Sequence, residues 1–153
     1  MLQDYSQIMI PIDGSKNSKL AFNKSIEVAK HNDADLHIVH VIDTRSFTNL
    51  ANFDSSMLDD VTSRVKSSLE KYLKKAQDAG IKNVDYTIEY GAPKSIISRD
   101  LVDRFDTDLI IIGANGQSAA ERLLIGSVAS YVTRVAECDV LIVKSDLDNK
   151  VQK

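Results

Sequence analysis

Short β-branched apolar runs alternate along this chain with longer amphipathic stretches, and no other feature of the sequence restricts the fold as much. The strand signal is carried by Ile8-Met9-Ile10-Pro11-Ile12 and by residues 36–42, 84–90, 109–112 and 140–143. Between these runs, apolar residues recur at helical spacing. Ala21, Phe22, Ser25, Val28 and Ala29 follow Ser18; Leu58, Val61, Val65, Leu69, Leu73 and Ala76 run up to Gly80. A third helix opens at Ala92-Pro93 and extends to Phe105, and a fourth carries Val128, Val132, Val135 and Ala136. Strands separated by helices cannot pair as hairpins, so the alternation predicts an α/β domain with a parallel sheet and helices on both faces.

The length of 153 residues fits one domain over 1–145 with a flexible tail over 146–153. Lys and Arg number 19 against 22 Asp and Glu, a formal net charge of −3, which removes the electrostatic footprint of a nucleic-acid binder. The single cysteine, Cys138, excludes an internal disulfide framework and a multi-cysteine zinc site. No apolar run reaches bilayer length and the N-terminus lacks a signal-peptide pattern, so the expectation is a cytoplasmic protein with no membrane partner.

The strands differ in a way that orders them. Residues 84–90 place Val84, Tyr86, Ile88 and Tyr90 on one face and Asp85, Thr87 and Glu89 on the other, the pattern of a half-wet edge. The remaining strands are apolar on both faces. Right-handed crossovers then predict strand order 3-2-1-4-5, with the winding reversing between the first and fourth strands. Open α/β sheets bind ligands beyond the carboxyl ends of the strands at that reversal. Two loops meet there: Ile12-Asp13-Gly14-Ser15 and Gly113-Ala114-Asn115-Gly116.

The second loop is followed by nine residues and then Gly126-Ser127, which opens a helix. Glycine after a strand allows close backbone approach, and a helix N-terminus offers unpaired N–H groups to an anion. Together they suit a polyphosphate. The chain has no G-x-x-x-x-G-K-[ST] and no G-x-G-x-x-G after the first strand, which excludes a P-loop and a standard dinucleotide site.

Gly113-x2-Gly116-x9-Gly126-Ser127 after an apolar strand, the closing Cys138-x-Val140-Leu141-Ile142-Val143, residues 8–15 and His40-Val41-Ile42-Asp43 together resemble the universal stress protein family. The likeness runs up to Lys144; one departure is Asp139, where proline commonly follows the cysteine. The resemblance implies a Rossmann-like, adenine nucleotide alpha hydrolase-like sheet and the ATP-binding branch of the family. It implies that Pro11, Ile12, Asp13 and Val41 surround adenine and ribose, and that Gly113, Ala114, Gly116, Gly126, Ser127 and Val128 hold the phosphates. Asp13 would repel phosphate directly, so it belongs on the ribose or on a Mg²⁺ shared with the phosphates.

Plainer roles compete for several of these residues. Asp13 and Ser127 could each act as a helix N-cap. His37 and His40 lie three apart on a strand, hence on opposite faces, and are expected to be core or near-surface imidazoles. Cys138 precedes a strand and suits packing, and Asp54, Asp59 and Asp60 suit a helix N-terminus. Between Gly113 and Ser127 the only cation is Arg122 and the only carboxylate Glu121, too few groups for phosphoryl transfer. The expected function is therefore a regulatory, ATP-binding stress-response module with no catalytic residues; the alternative is a slow ATPase on the same site. Finally, Val140, Leu141, Ile142 and Val143 would form an apolar edge with no polar defence before Lys144, which predicts a homodimer through the last strand.

Overall fold

β1 (Gln7–Pro11) occupies the middle of the sheet because it has no polar side chain to keep in water beyond Gln7: Ile8, Met9 and Ile10 are fully buried. The computed structural model describes residues 4–48, 53–115 and 125–144. Around β1 lie β2 (Asp35–Ile42), β3 (Val84–Tyr90), β4 (Leu109–Gly113) and β5 (Asp139–Val143), all parallel, in the order β3-β2-β1-β4-β5. The predicted order and both predicted edges are thus observed.

One face carries α1 (Lys16–Asn32) and α3 (Ser55–Asp78), which bury Phe22, Ala29, Leu69 and Ala76 against Ile8, Ile10, Leu36, Ile38 and Ile111. α1 starts earlier than the expected Ser18, because Ser15 is its N-cap: the Ser15 side chain accepts from the Ser18 N–H at 3.1 Å. Asp54 caps α3 in the same way, accepting from the Ser56 N–H at 2.9 Å. Between β2 and α3, the sequence that reads as an unbroken polar stretch contains a one-turn helix, α2 (Arg45–Thr48), whose first amide at Arg45 donates to Asp43 Oδ1 at 3.1 Å.

The other face is covered by the helix opening at Pro93 and by α6 (Ser127–Val135), packed on Met9, Val39, Ile110 and Ile112. The predicted single helix from Pro93 to Phe105 is interrupted. It comprises α4 (Pro93–Ser95), a π-helical turn over Ile96–Asp100 and α5 (Leu101–Phe105). Within the wider turn the Ser98 hydroxyl donates to the Lys94 carbonyl at 2.6 Å.

The ladder between β1 and β4 is short. Ile8 pairs with Leu109 and Met9 with Ile110, and the register ends there, whereas β1 and β2 stay paired as far as Pro11 and Val39. The two strands therefore part toward their carboxyl ends, at the point where the winding reverses.

Candidate functional site

A cavity of about 470 Å³ opens where β1 and β4 part, within the size range of small-molecule sites. Its wall is apolar, built from Val39, Val41, Pro93, Ile97 and Ile112, while Asp13, Ser18, Asn115, Gly126 and Ser127 bring polar groups to it.

The first loop is shaped by its own hydrogen bonds. Ile12 N–H continues the ladder to Val39 O at 2.8 Å, and Gly14 then turns the chain with a φ of 86°. Asp13 Oδ1 accepts from the Ser15 N–H at 2.8 Å, and the Asp13 N–H donates to Ser18 Oγ at 3.4 Å. The capping role open to Asp13 thus falls to Ser15, and the Asp13 carboxylate stays exposed at the cavity. Its charge acts on its neighbours: it helps raise the Tyr72 pKa, behind burial, and opposes the burial that lowers the His40 pKa.

The second loop is closed at its base. The Ala114 N–H donates to Val143 O at 2.9 Å, and the Gly126 N–H donates to Ala114 O at 2.6 Å. These bonds hold the start of α6 beside the end of β4. Gly126 stands at the N-cap, no side chain among the described residues caps the helix, and its first turn has no acid. The Ser127 hydroxyl therefore has no capping duty, and the residues of this first turn, Ser127, Val128 and Ala129, line the cavity at the positive end of the helix dipole.

Of the residues singled out from the sequence, Pro11, Ile12, Asp13, Val41, Gly113, Gly126, Ser127 and Val128 line this cavity together. Ala114 does not: it is buried, and its N–H and C=O are both committed to the bonds that close the loop. Gly116, Glu121, Arg122 and the tail 146–153 lie outside the described residues. Sequence reasoning placed Asn115 in the switch-point loop without giving it a role, and it missed Ser18, Val39, Pro93, Ile97, Ile112 and Ala129. Ile112 and Pro93 follow from the carboxyl-end rule once the edge order is known; Ile97 depends on the π-helical turn and leaves no sequence signal.

The other candidates sit elsewhere. His37 lies on the face opposite His40, its ring stacked on Phe105 with centroids 4.6 Å apart, Nδ1 2.7 Å from Asp85 Oδ1 and Nε2 2.8 Å from Gln7 Oε1. Cys138 is half-buried in the core between the sheet and α6, and burial, with the charges of Asp139 and Asp108, pushes its pKa up to about 11. Among the described residues, no group of three or more His, Cys, Asp or Glu gathers to hold a metal, and no helix is long and apolar enough to cross a membrane.

A doubly wound α/β sheet whose cavity joins an apolar slot to a helix N-terminus at the switch point defines the class of Rossmann-like α/β domains. Comparison with known proteins narrows this. The Universal stress protein family matches residues 4–144, and the chain belongs to that family. A putative universal stress protein of Staphylococcus saprophyticus is 39% identical over 142 residues, covering 93% of this chain and 85% of its own. The structure of the universal stress protein UspA from Lactobacillus plantarum superposes with a TM-score of 0.83 at 26% identity, covering 94% of this chain and 100% of that one. A universal stress protein crystallised in complex with cAMP superposes with a TM-score of 0.71 at 25% identity, covering 93% and 98%.

Proposed function

We propose that this protein is an ATP-binding regulatory module of the stress response. The observation that supports it is the continuity of one cavity from apolar strand ends to the start of α6. The apolar part suits a purine ring, which has no charge to desolvate. The helix start suits phosphate, through its first-turn N–H groups and the dipole. The cAMP complex of a family member lends the adenine class further support.

Pro11, Ile12, Asp13 and Val41 then surround adenine and ribose, while Gly113, Gly126, Ser127 and Val128, with Gly116, hold the phosphates. Ala114 serves them by fixing the loop base. Mg²⁺ usually keeps several waters and takes one or two protein carboxylates plus phosphate oxygens, and Asp13 is a carboxylate in position to be one of them. When bound, the ion would neutralise phosphate charge.

Binding without turnover is the reading the lining favours over a slow ATPase. Among the described lining residues Asp13 is the one carboxylate, and there is no lysine, arginine or histidine. The same reading places the protein in the cytoplasm as a homodimer paired through β5, whose Leu141 is 38% exposed. Calorimetry with Gly116→Val tests the nucleotide assignment. ATP binding by the wild type with at least tenfold weaker binding by the variant is expected; equal affinities would overturn the role of the glycine loop.

A further inference from the structure

The described lining of the cavity has no cation, yet one lies beside it. Lys94 follows Pro93, which is itself part of the cavity wall, in the first turn of the helix that packs against α6. Its ammonium is 5.9 Å from the centroid of the Tyr131 ring, and the Arg134 guanidinium is 5.6 Å from the same ring. Among the described residues Lys94 forms no ion pair, and α6 contains no acidic residue to hold it.

The position of that ring matters. Tyr131 is one turn beyond Ser127 and Val128 on α6, and side chains on a helix lean toward its N-terminus. The ring therefore covers the flank of the turn that lines the cavity, and the ammonium held against it is near the start of α6. A lysine stem has four carbons of reach, and Lys94 is exposed. A cation resting on an exposed aromatic face is held weakly, less strongly than by a charge-assisted bond to phosphate.

Resting on the nucleotide reading above, we infer that Lys94 is the counter-cation for the phosphate end of the ligand, leaving Tyr131 for the phosphates and so ranking ligands by their charge. Adenosine gains nothing from it, AMP little, and ATP most.

The test is calorimetry of the full chain with adenosine, AMP and ATP, comparing wild type, Lys94→Gln and Lys94→Arg. Lys94→Gln should weaken ATP about fivefold, leave adenosine unchanged, and lose its effect as salt rises, while Lys94→Arg should restore most of the ATP affinity. Equal weakening of all three ligands, or unchanged ATP affinity, would overturn the inference while leaving the nucleotide site standing. A wild type that binds none of the three would overturn both.

Discussion

Gly113 and Asn17 touch where α1 starts beside the end of β4: a Cβ on Gly113 would lie 2.8 Å from the Asn17 carbonyl carbon and 2.9 Å from its carbonyl oxygen. Those atoms are backbone in the first turn of a helix, so they cannot swing aside as the end of a long side chain could. The glycine lets α1 close over the sheet, and this helix carries Ser18 at the cavity while β4 carries Ile112. Packing of the helix and shape of the site thus depend on the same missing methyl group.

Gly113→Ala should therefore cost about 1–3 kcal/mol, the range for forcing a group into a filled space. Urea unfolding of variant and wild type measures it. Equal stability would mean that α1 retreats freely and that the contact does not constrain the site.

His40 should make stability depend on pH. Burial lowers its pKa from the ordinary 6.5, outweighing a backbone hydrogen bond with Ile12 and the Asp13 charge, which both raise it. The unfolded chain then takes up a proton that the folded chain refuses. Stability is complete above the unfolded value and declines as pH falls through it. Between about pH 7.5 and about pH 5.5 the wild type should lose more stability than His40→Gln. Equal losses would contradict the stated burial effect.

The edge order was legible because β3 shows its exposure in composition: Asp85, Thr87 and Glu89 occupy alternate positions that no central strand would tolerate. That Asp13, Gly113 and Gly126 border the cavity was legible for a similar reason, since turns and helix starts need particular residue types. The apolar wall was not. Val39, Ile97 and Ile112 read in the sequence as core, and they differ from core only because β1 and β4 part beside them. The π-helical turn that presents Ile97 has no local signal either: Ser98 makes the same hydroxyl-to-carbonyl bond within its turn that Thr62 and Thr133 make in regular helix. Gly113 was legible as necessary, but its contact with Asn17 is tertiary and could not be read locally.

Cys138 should be slow to react. Its thiol, pushed up to about 11 chiefly by burial, holds almost no thiolate near neutral pH. At about pH 8, alkylation should be at least tenfold slower in the folded protein than in urea. Equal rates would show that the thiol is reached without unfolding.

Leu141→Lys should separate the proposed dimer. Leu141 is exposed on β5, whose far edge has no neighbouring strand among the described residues. Paired with a symmetry mate, two lysines would meet across the interface. Sedimentation should give a dimer for wild type and a monomer for the variant; a monomeric wild type at micromolar concentration would end the dimer proposal.

The central claim is that one cavity, at the parting of β1 and β4, takes an adenine nucleotide. Amide proton–nitrogen correlation spectra recorded while Mg·ATP is added test both halves of it, binding and place. Shifts should concentrate at Ile12, Val41, Gly113, Asn115, Ser127 and Val128, and spare Ala34, Gly80 and Ile81 at the opposite end of the sheet. A spectrum unchanged at millimolar ATP, or shifts gathered at that opposite end, would contradict the account.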